Sequence, residues 1–416
     1  MKNLLFVLVL ITFASCSENA VKEEISKENR ILVEGNWLME FNLKDSITAP
    51  INLFISKNDT SYDVVFTNAS EKIKAKSVII TGDSIRIVDP LFNTWFEGEI
   101  LSDSKIEGNW FKSNRGYAIP FIASQGKQLR FKTPKNLLAN TQNITGKWEV
   151  DFSKSNPEDH YKAIGQFKQE GNYVTGTFIT ETGDYRFLEG NIYNNHLYLS
   201  CYDGSHLFLF KALLEEGKLI GTFWSGSHWE EPWEAFKNET FELSDPETLT
   251  YLKEGYNELT FAFPNTNGDT VRLTDQKYQG KVVIVNIMGP WCPNCKDETA
   301  YLAELYNKNH GKGLEIIALS FDKAEVFDVA AANIKKIQNH FGANYEFLIA
   351  GKANKIAAAE ALPMLNHIMS YPTSIFIDRK GNIQKIRTGF YGPGTGSYYT
   401  RYIEQTNDFI AKLLAE

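Results

Sequence analysis

Cysteine is scarce in this sequence, four in 416 residues, which excludes a disulfide-stapled scaffold. Positive charge is not in excess either. Forty-three Lys and Arg against 51 Asp and Glu leave a net charge of −8, which gives no reason to expect nucleic acid or an anionic membrane surface as a partner. No apolar run reaches the roughly 20 residues of a membrane-spanning helix, and the N-terminal stretch Leu4–Phe13 is about half of that. Core material, by contrast, is abundant. Hydrophobic residues make up 43% of the chain and aromatics 13%, ample for the two or three domains that this length suggests.

Two of the cysteines are neighbours, in Lys281–Glu298 (KVVIVNIMGPWCPNCKDE). The run Val282–Met288 is apolar and rich in β-branched residues, which favours a buried strand over a helix. Gly289-Pro290 breaks it, and Pro293 suits the first turn of a helix. Cys292 and Cys295 are therefore expected where a central strand hands over to a helix N-terminus. There the unpaired N–H groups and the helix dipole favour a thiolate at Cys292. One turn later Cys295 lies within bonding reach and further from solvent, an arrangement that suits exchange through a mixed disulfide. The competing reading is half of a zinc site, but zinc takes about four ligands. The other cysteines are Cys16 and Cys201, and no His pair at metal spacing lies near, so redox chemistry is preferred and no metal is expected.

From the first residue, Lys2, the apolar Leu4–Phe13 and Ala14-Ser15-Cys16 read as an export signal over 1–16. Its small-small-Cys ending resembles a bacterial lipobox, which implies lipidation at Cys16. Phe13 stands where Leu is usual, and plain cleavage with an incidental cysteine is the alternative. Residues 17–30 are polar and charged and read as a tether. Residues 31–243 alternate, with many aromatics and turn residues, and contain an internal repeat. Gly35-Asn36-Trp37 recurs as Gly146-Lys147-Trp148, and Pro120–Ala123 recurs as Pro232–Ala235. A period of roughly 112 residues is too long for a solenoid. Two tandem all-β modules, 31–128 and 140–243, are expected as small barrels or sandwiches. The G-x-W opening resembles a lipocalin-like pattern. Trp37, Trp110, Trp148 and Trp224 are expected to fill the interiors rather than line a ligand site. His228, Trp229 and Trp233 are the best candidates for an exposed recognition patch, and Cys201 reads as a buried small hydrophobe.

A polar boundary at Asp245–Asn257 precedes an α/β order over 257–416. This comprises a short strand–turn–strand, the central strand, the CxxC helix, a second apolar strand at Leu314–Phe321 and a helix over Lys323–Phe341. A third strand at Tyr345–Ala350, a hairpin over Ser374–Arg387 and a closing helix at Tyr398–Leu414 follow. With W-C-x-x-C after the central strand and Tyr371-Pro372-Thr373 before the hairpin, this region resembles the thioredoxin superfamily. Within it, the region looks more closely like the exported TlpA/ResA-like thiol-disulfide oxidoreductases of the AhpC/TSA–redoxin group. The resemblance implies a cis peptide bond before Pro372 facing a Cys292–Cys295 disulfide. It also implies Trp291 and Tyr371 on the docking surface, and backbone contacts from Thr373. A glutamate at the offset of Glu298 is buried near the cysteines in ResA-like members. A turn after Cys295 it would oppose thiolate formation, whereas Asn286 cannot take up a proton. The alternative is a solvated glutamate that complements the helix dipole.

The expected function is a thiol-disulfide oxidoreductase of the bacterial cell envelope, working as a disulfide reductase through its CPNC pair. It would sit on the periplasmic face or the outer membrane by a lipid anchor. No organic cofactor is needed. The partners are a protein or small-molecule disulfide and a membrane dithiol that supplies electrons. A thiol peroxidase of the AhpC/TSA type is one alternative, made weaker by the lack of a threonine suitably placed before the cysteine. An envelope binding protein whose β modules carry the function is the other. The β modules are expected to be dispensable for reduction of a small disulfide.

Overall fold

Alternation in the first half of the chain becomes two antiparallel meanders. The computed structural model describes residues 29–113, 116, 118–126, 129–132 and 142–416. The export signal, Cys16 and residues 17–28 of the tether lie outside these. In the first meander nine strands between Gly35 and Gln125 form one open sheet, a half-barrel. In the second, between Gly146 and Lys237, Tyr161–Glu170 pairs both with Gly146–Phe152 and with Tyr173–Thr180, which closes the sheet into a barrel.

The repeat persists in three dimensions. Gly35 and Gly146 have φ of 120° and 121°, a region that glycine enters without a Cβ penalty. Two residues later, the indoles of Trp37 and Trp148 each donate to the carbonyl four residues back, Val33 at 3.0 Å and Ile144 at 2.8 Å. Trp37, Trp110, Trp148 and Trp224 are all buried, in keeping with the interior-filling expectation. The proposed exposed patch is only partly so. Trp229 is 43% exposed, but Trp233 is 2% exposed, because its strand points it inward against Phe152 and Phe178.

The half-barrel is completed by its neighbour. Tyr202, Leu207 and Leu209 of the second module belong to the same core as Trp37, Phe41 and Phe96 of the first. The Tyr202 ring lies 4.9 Å from Phe66 and 5.7 Å from Trp110. Burying each of these side chains is worth about 1.5–3 kcal/mol, so the open edge is stabilised by contact with the barrel. Arg130, buried between the modules, donates to Ser200 O at 2.9 Å and pairs with Glu189 at 3.1 Å.

The C-terminal domain is thioredoxin-like, with a mixed five-stranded sheet. Its order is Glu346–Lys352, Leu314–Asp322, Val282–Met288, Thr373–Ile377, Ile383–Thr388. Every residue of the central strand Val282–Met288 is buried, as expected of a strand covered on both faces. It runs parallel to Leu314–Asp322 and antiparallel to Thr373–Ile377. The helix expected from Lys323 begins at Phe327. A short helix at Lys355–Ala361 was not anticipated, since seven residues carry too little periodicity to register. The polar segment after Asp245 hydrogen-bonds to this domain. Thr388 N–H donates to Pro246 O at 2.9 Å, and Lys253 N–H to Met364 O at 2.8 Å.

Candidate active site

Gly289-Pro290 ends the central strand, and Cys292 becomes the N-cap of the helix Pro293–Asn309, with Pro293 in its first turn. Cys292 Sγ accepts the N–H of Cys295 at 3.3 Å, and its thiol faces Tyr371 O at 3.4 Å. Both cysteines are free thiols. Cys292 is 7% exposed and Cys295 is fully enclosed. Burial pushes the Cys295 thiol well above its ordinary value, and the neighbouring Cys292 and the Glu298 carboxylate add to this. Among the described residues no group of three or more His, Cys, Asp or Glu is arranged to hold a metal ion.

The residues expected around the pair come together. The Tyr371–Pro372 bond is cis, and the Tyr371 ring meets Trp291 edge-on at 5.6 Å. The Trp291 indole donates to Phe321 O at 3.0 Å, and the Lys323 ammonium lies 4.1 Å over its ring. Thr373 is fully buried within the sheet, paired with Ile287 on one side and Thr388 on the other. Its hydroxyl donates to Ser370 O at 2.9 Å, and its side chain does not reach the surface.

Glu298 is 1% exposed, so the solvated alternative does not hold. Its Oε1 accepts from Tyr402 at 2.7 Å and Ser374 at 3.1 Å, and its Oε2 from Asn286 Nδ2 at 2.6 Å. Burial raises the carboxyl pKa, against the pull of these three donors and of Arg387. Tyr402, Ser374 and Arg387 were not anticipated. In sequence they are an apolar-stripe tyrosine, a strand serine and a hairpin arginine, and nothing local marks them as partners of Glu298.

A profile of the AhpC/TSA family matches residues 257–386. ResA, a thiol-disulfide oxidoreductase of Bacillus thuringiensis (strain Al Hakam), is 33% identical over 141 residues, 34% of this chain and 71% of that protein. The chain belongs to the ResA-like thiol-disulfide oxidoreductases. ResA of Bacillus subtilis (strain 168) is 29% identical over 138 residues, covering 33% of this chain and 69% of its own. A solved thiol-disulfide oxidoreductase from Bacteroides fragilis aligns with 36% of this chain and 99% of its own, at 16% identity and a TM-score of 0.28. The family match lies within the C-terminal domain, and both β modules fall outside it.

Those modules nevertheless reach the redox helix of this ResA-like domain. Arg186, from the second module and 2% exposed, ion-pairs with Asp297 on the redox helix and with Glu71 of the first module. Lys296 stands 3.9 Å from Glu71 and 3.8 Å from Asp297. Burial lowers its ammonium pKa to about 8, with Arg186 adding to the shift and Glu71 opposing it. Leu91 and Phe92 of the first module join the hydrophobic cluster that contains Cys292 and Cys295. The hairpin tip Glu181–Gly183 lies over the other side. Ser370 Oγ donates to Thr182 O at 2.6 Å, and a Cβ at Gly183 would collide with the Asn294 side chain. Ser205 Oγ donates to Trp291 O at 3.3 Å. None of this was legible beforehand, because the partners are more than 80 residues apart in sequence.

Proposed function

We propose that this oxidoreductase is an exported disulfide reductase of the cell envelope, tethered by lipid at Cys16, with Cys292 as attacker and Cys295 as resolver. The asymmetry of the pair carries the assignment of attacker and resolver, and the small-small-Cys ending at Cys16 supports the tether. Cys292 has the helix N-terminus and one amide N–H directed at its sulfur and retains a little exposure, whereas Cys295 is sealed. The Cys292 thiolate attacks one sulfur of a substrate disulfide, forming a mixed disulfide and expelling the other sulfur, which takes up a proton. Cys295, on losing its proton, attacks Cys292 Sγ and releases the second substrate thiol. The pair ends as Cys292–Cys295 disulfide, and two electrons have passed to the substrate. A membrane dithiol then returns two electrons and two protons.

Burial and the Glu298 charge support the reducing direction. Both disfavour a thiolate at Cys295, so the reduced state gains little from ionisation and the disulfide is correspondingly favoured, the reverse of a strong oxidant. Glu298 serves as the buried group that exchanges a proton with the pair, and Trp291, Tyr371 and Pro372 shape the docking face. The measurement is the reduction potential of the soluble chain, together with its turnover of insulin disulfides. A potential well above that of the glutathione pool would reverse the direction. Rapid peroxide consumption with no insulin reduction would favour the peroxidase reading.

A further inference from the structure

Beside the redox pair lies a cleft of about 720 Å³, within the range of volumes that bind ligands. One wall is the mouth of the second barrel, with the rings of Tyr161, Tyr185, Phe208, Phe223 and Trp229, and the cleft extends to Asn294 and Met369 of the thioredoxin-like domain. Asn294 lies between the two cysteines, and Met369 is two residues before Tyr371, whose carbonyl meets Cys292 Sγ. The cleft thus borders residues that flank the redox pair in sequence.

Its walls are held in place. Tyr161 and Tyr185 share a hydroxyl hydrogen bond of 2.7 Å, and Tyr161 donates to the buried Glu231 at 2.8 Å. Ser370 pins the hairpin at Thr182. Trp229, by contrast, is 43% exposed at the rim, with no aromatic stacking partner among the described residues. A fixed aromatic wall with one open indole suits a large apolar side chain, since aromatic pairs gain stability beyond the area they bury.

Resting on the oxidoreductase reading, we propose that this cleft seats an aromatic or long apolar side chain next to the half-cystine of a peptide substrate. The β modules thereby select polypeptide disulfides rather than small ones. The hairpin at Glu181–Gly183 covers the Asn294 side of the pair and steers the partner's chain along the cleft.

The test uses the full soluble chain and two disulfide-linked peptides, identical except for Phe or Ser beside the half-cystine. The expected result is a kcat/KM about tenfold higher for the Phe peptide, the scale of discrimination an apolar pocket supplies. That preference should be lost in Trp229→Ala and restored in Trp229→Phe. A Phe peptide with Ser in place of Cys should compete with the Phe substrate in the unaltered chain, a readout that does not depend on how any variant folds. Equal rates for the two peptides, or a preference that survives Trp229→Ala, would overturn the proposal while leaving the redox reading intact. Failure to reduce either peptide would overturn both.

Discussion

Replacing Arg186 with alanine removes a guanidinium that joins all three structural units. Its side chain is 2% exposed, and its partners Glu71 and Asp297 are each 10% exposed, so solvent screens little of the interaction. Without it two buried carboxylates face each other, with Lys296 nearly 4 Å from both. Breaking a buried ion pair by deleting one partner costs about 3–5 kcal/mol, because the remaining charge is left uncompensated. Lys296 remains to compensate both carboxylates in part, so the lower end of that range, about 3 kcal/mol, is expected for Arg186→Ala. Arg186→Lys should recover only part of it, since a point charge cannot serve two carboxylates as a planar fork does. The assay is urea unfolding followed by two probes, tryptophan fluorescence and Cys292 accessibility to alkylation. The parent should unfold in coincident transitions, and the alanine variant should expose Cys292 at lower urea than it loses the fluorescence of the β modules. A loss below about 1 kcal/mol with coincident transitions, the range typical of an exposed pair, would refute the latch.

Other expectations follow from the same contacts. Glu298→Gln should lower the pH at which the dithiol pair titrates, because a charge that disfavours the Cys295 thiolate is gone; an unchanged thiol titration would remove Glu298 from the site. In the same variant stability should change as well. Folding raises the Glu298 pKa, so the stability it contributes is complete below its unfolded value and is lost as pH rises through the folded one. The glutamine chain should therefore lose less stability between acid and neutral pH, and parallel pH–stability curves would count against this. Asn286 can accommodate the amide, since its Oδ1 lacks a hydrogen-bond partner and can accept after a flip. The isolated fragment 257–416 should be less stable and less active than the full chain, because it uncovers the surface packed by Leu91 and Phe92 and leaves Lys296 and Asp297 without Arg186 and Glu71. This departs from the sequence-based expectation that the β modules are dispensable for reduction of a small disulfide, and equal turnover of a small disulfide by fragment and full chain would restore that expectation.

Local signals were legible and long-range ones were not. The run from Val282, the break at Gly289-Pro290 and Pro293 specified strand, turn and helix, because each acts on its own backbone. Helical spacing put Glu298 on the face of Cys295, and its burial was legible only through the resemblance to ResA-like members. The repeat of Gly35-Asn36-Trp37 at Gly146-Lys147-Trp148 gave two β modules, and the shared glycine conformation explains why it recurs. What the sequence did not carry was the packing between units. Tyr202 reads as one more strand tyrosine, yet it fills its neighbour's open core. Arg186 reads as a loop charge, yet it holds the redox helix. Trp233 shows the same limit at short range, since an aromatic cluster does not reveal which rings alternate inward.

Mixed-disulfide trapping tests most directly whether Cys292 attacks and Cys295 resolves. Single variants Cys292→Ser and Cys295→Ser are each incubated with oxidised insulin disulfide and quenched with acid. The covalent adducts are then counted by intact mass. With Cys292 retaining 7% exposure at the helix N-terminus and Cys295 fully enclosed, Cys295→Ser should accumulate an insulin adduct on Cys292, and Cys292→Ser should form essentially none. Equal adducts in the two variants, or adducts only in Cys292→Ser, would contradict the assignment.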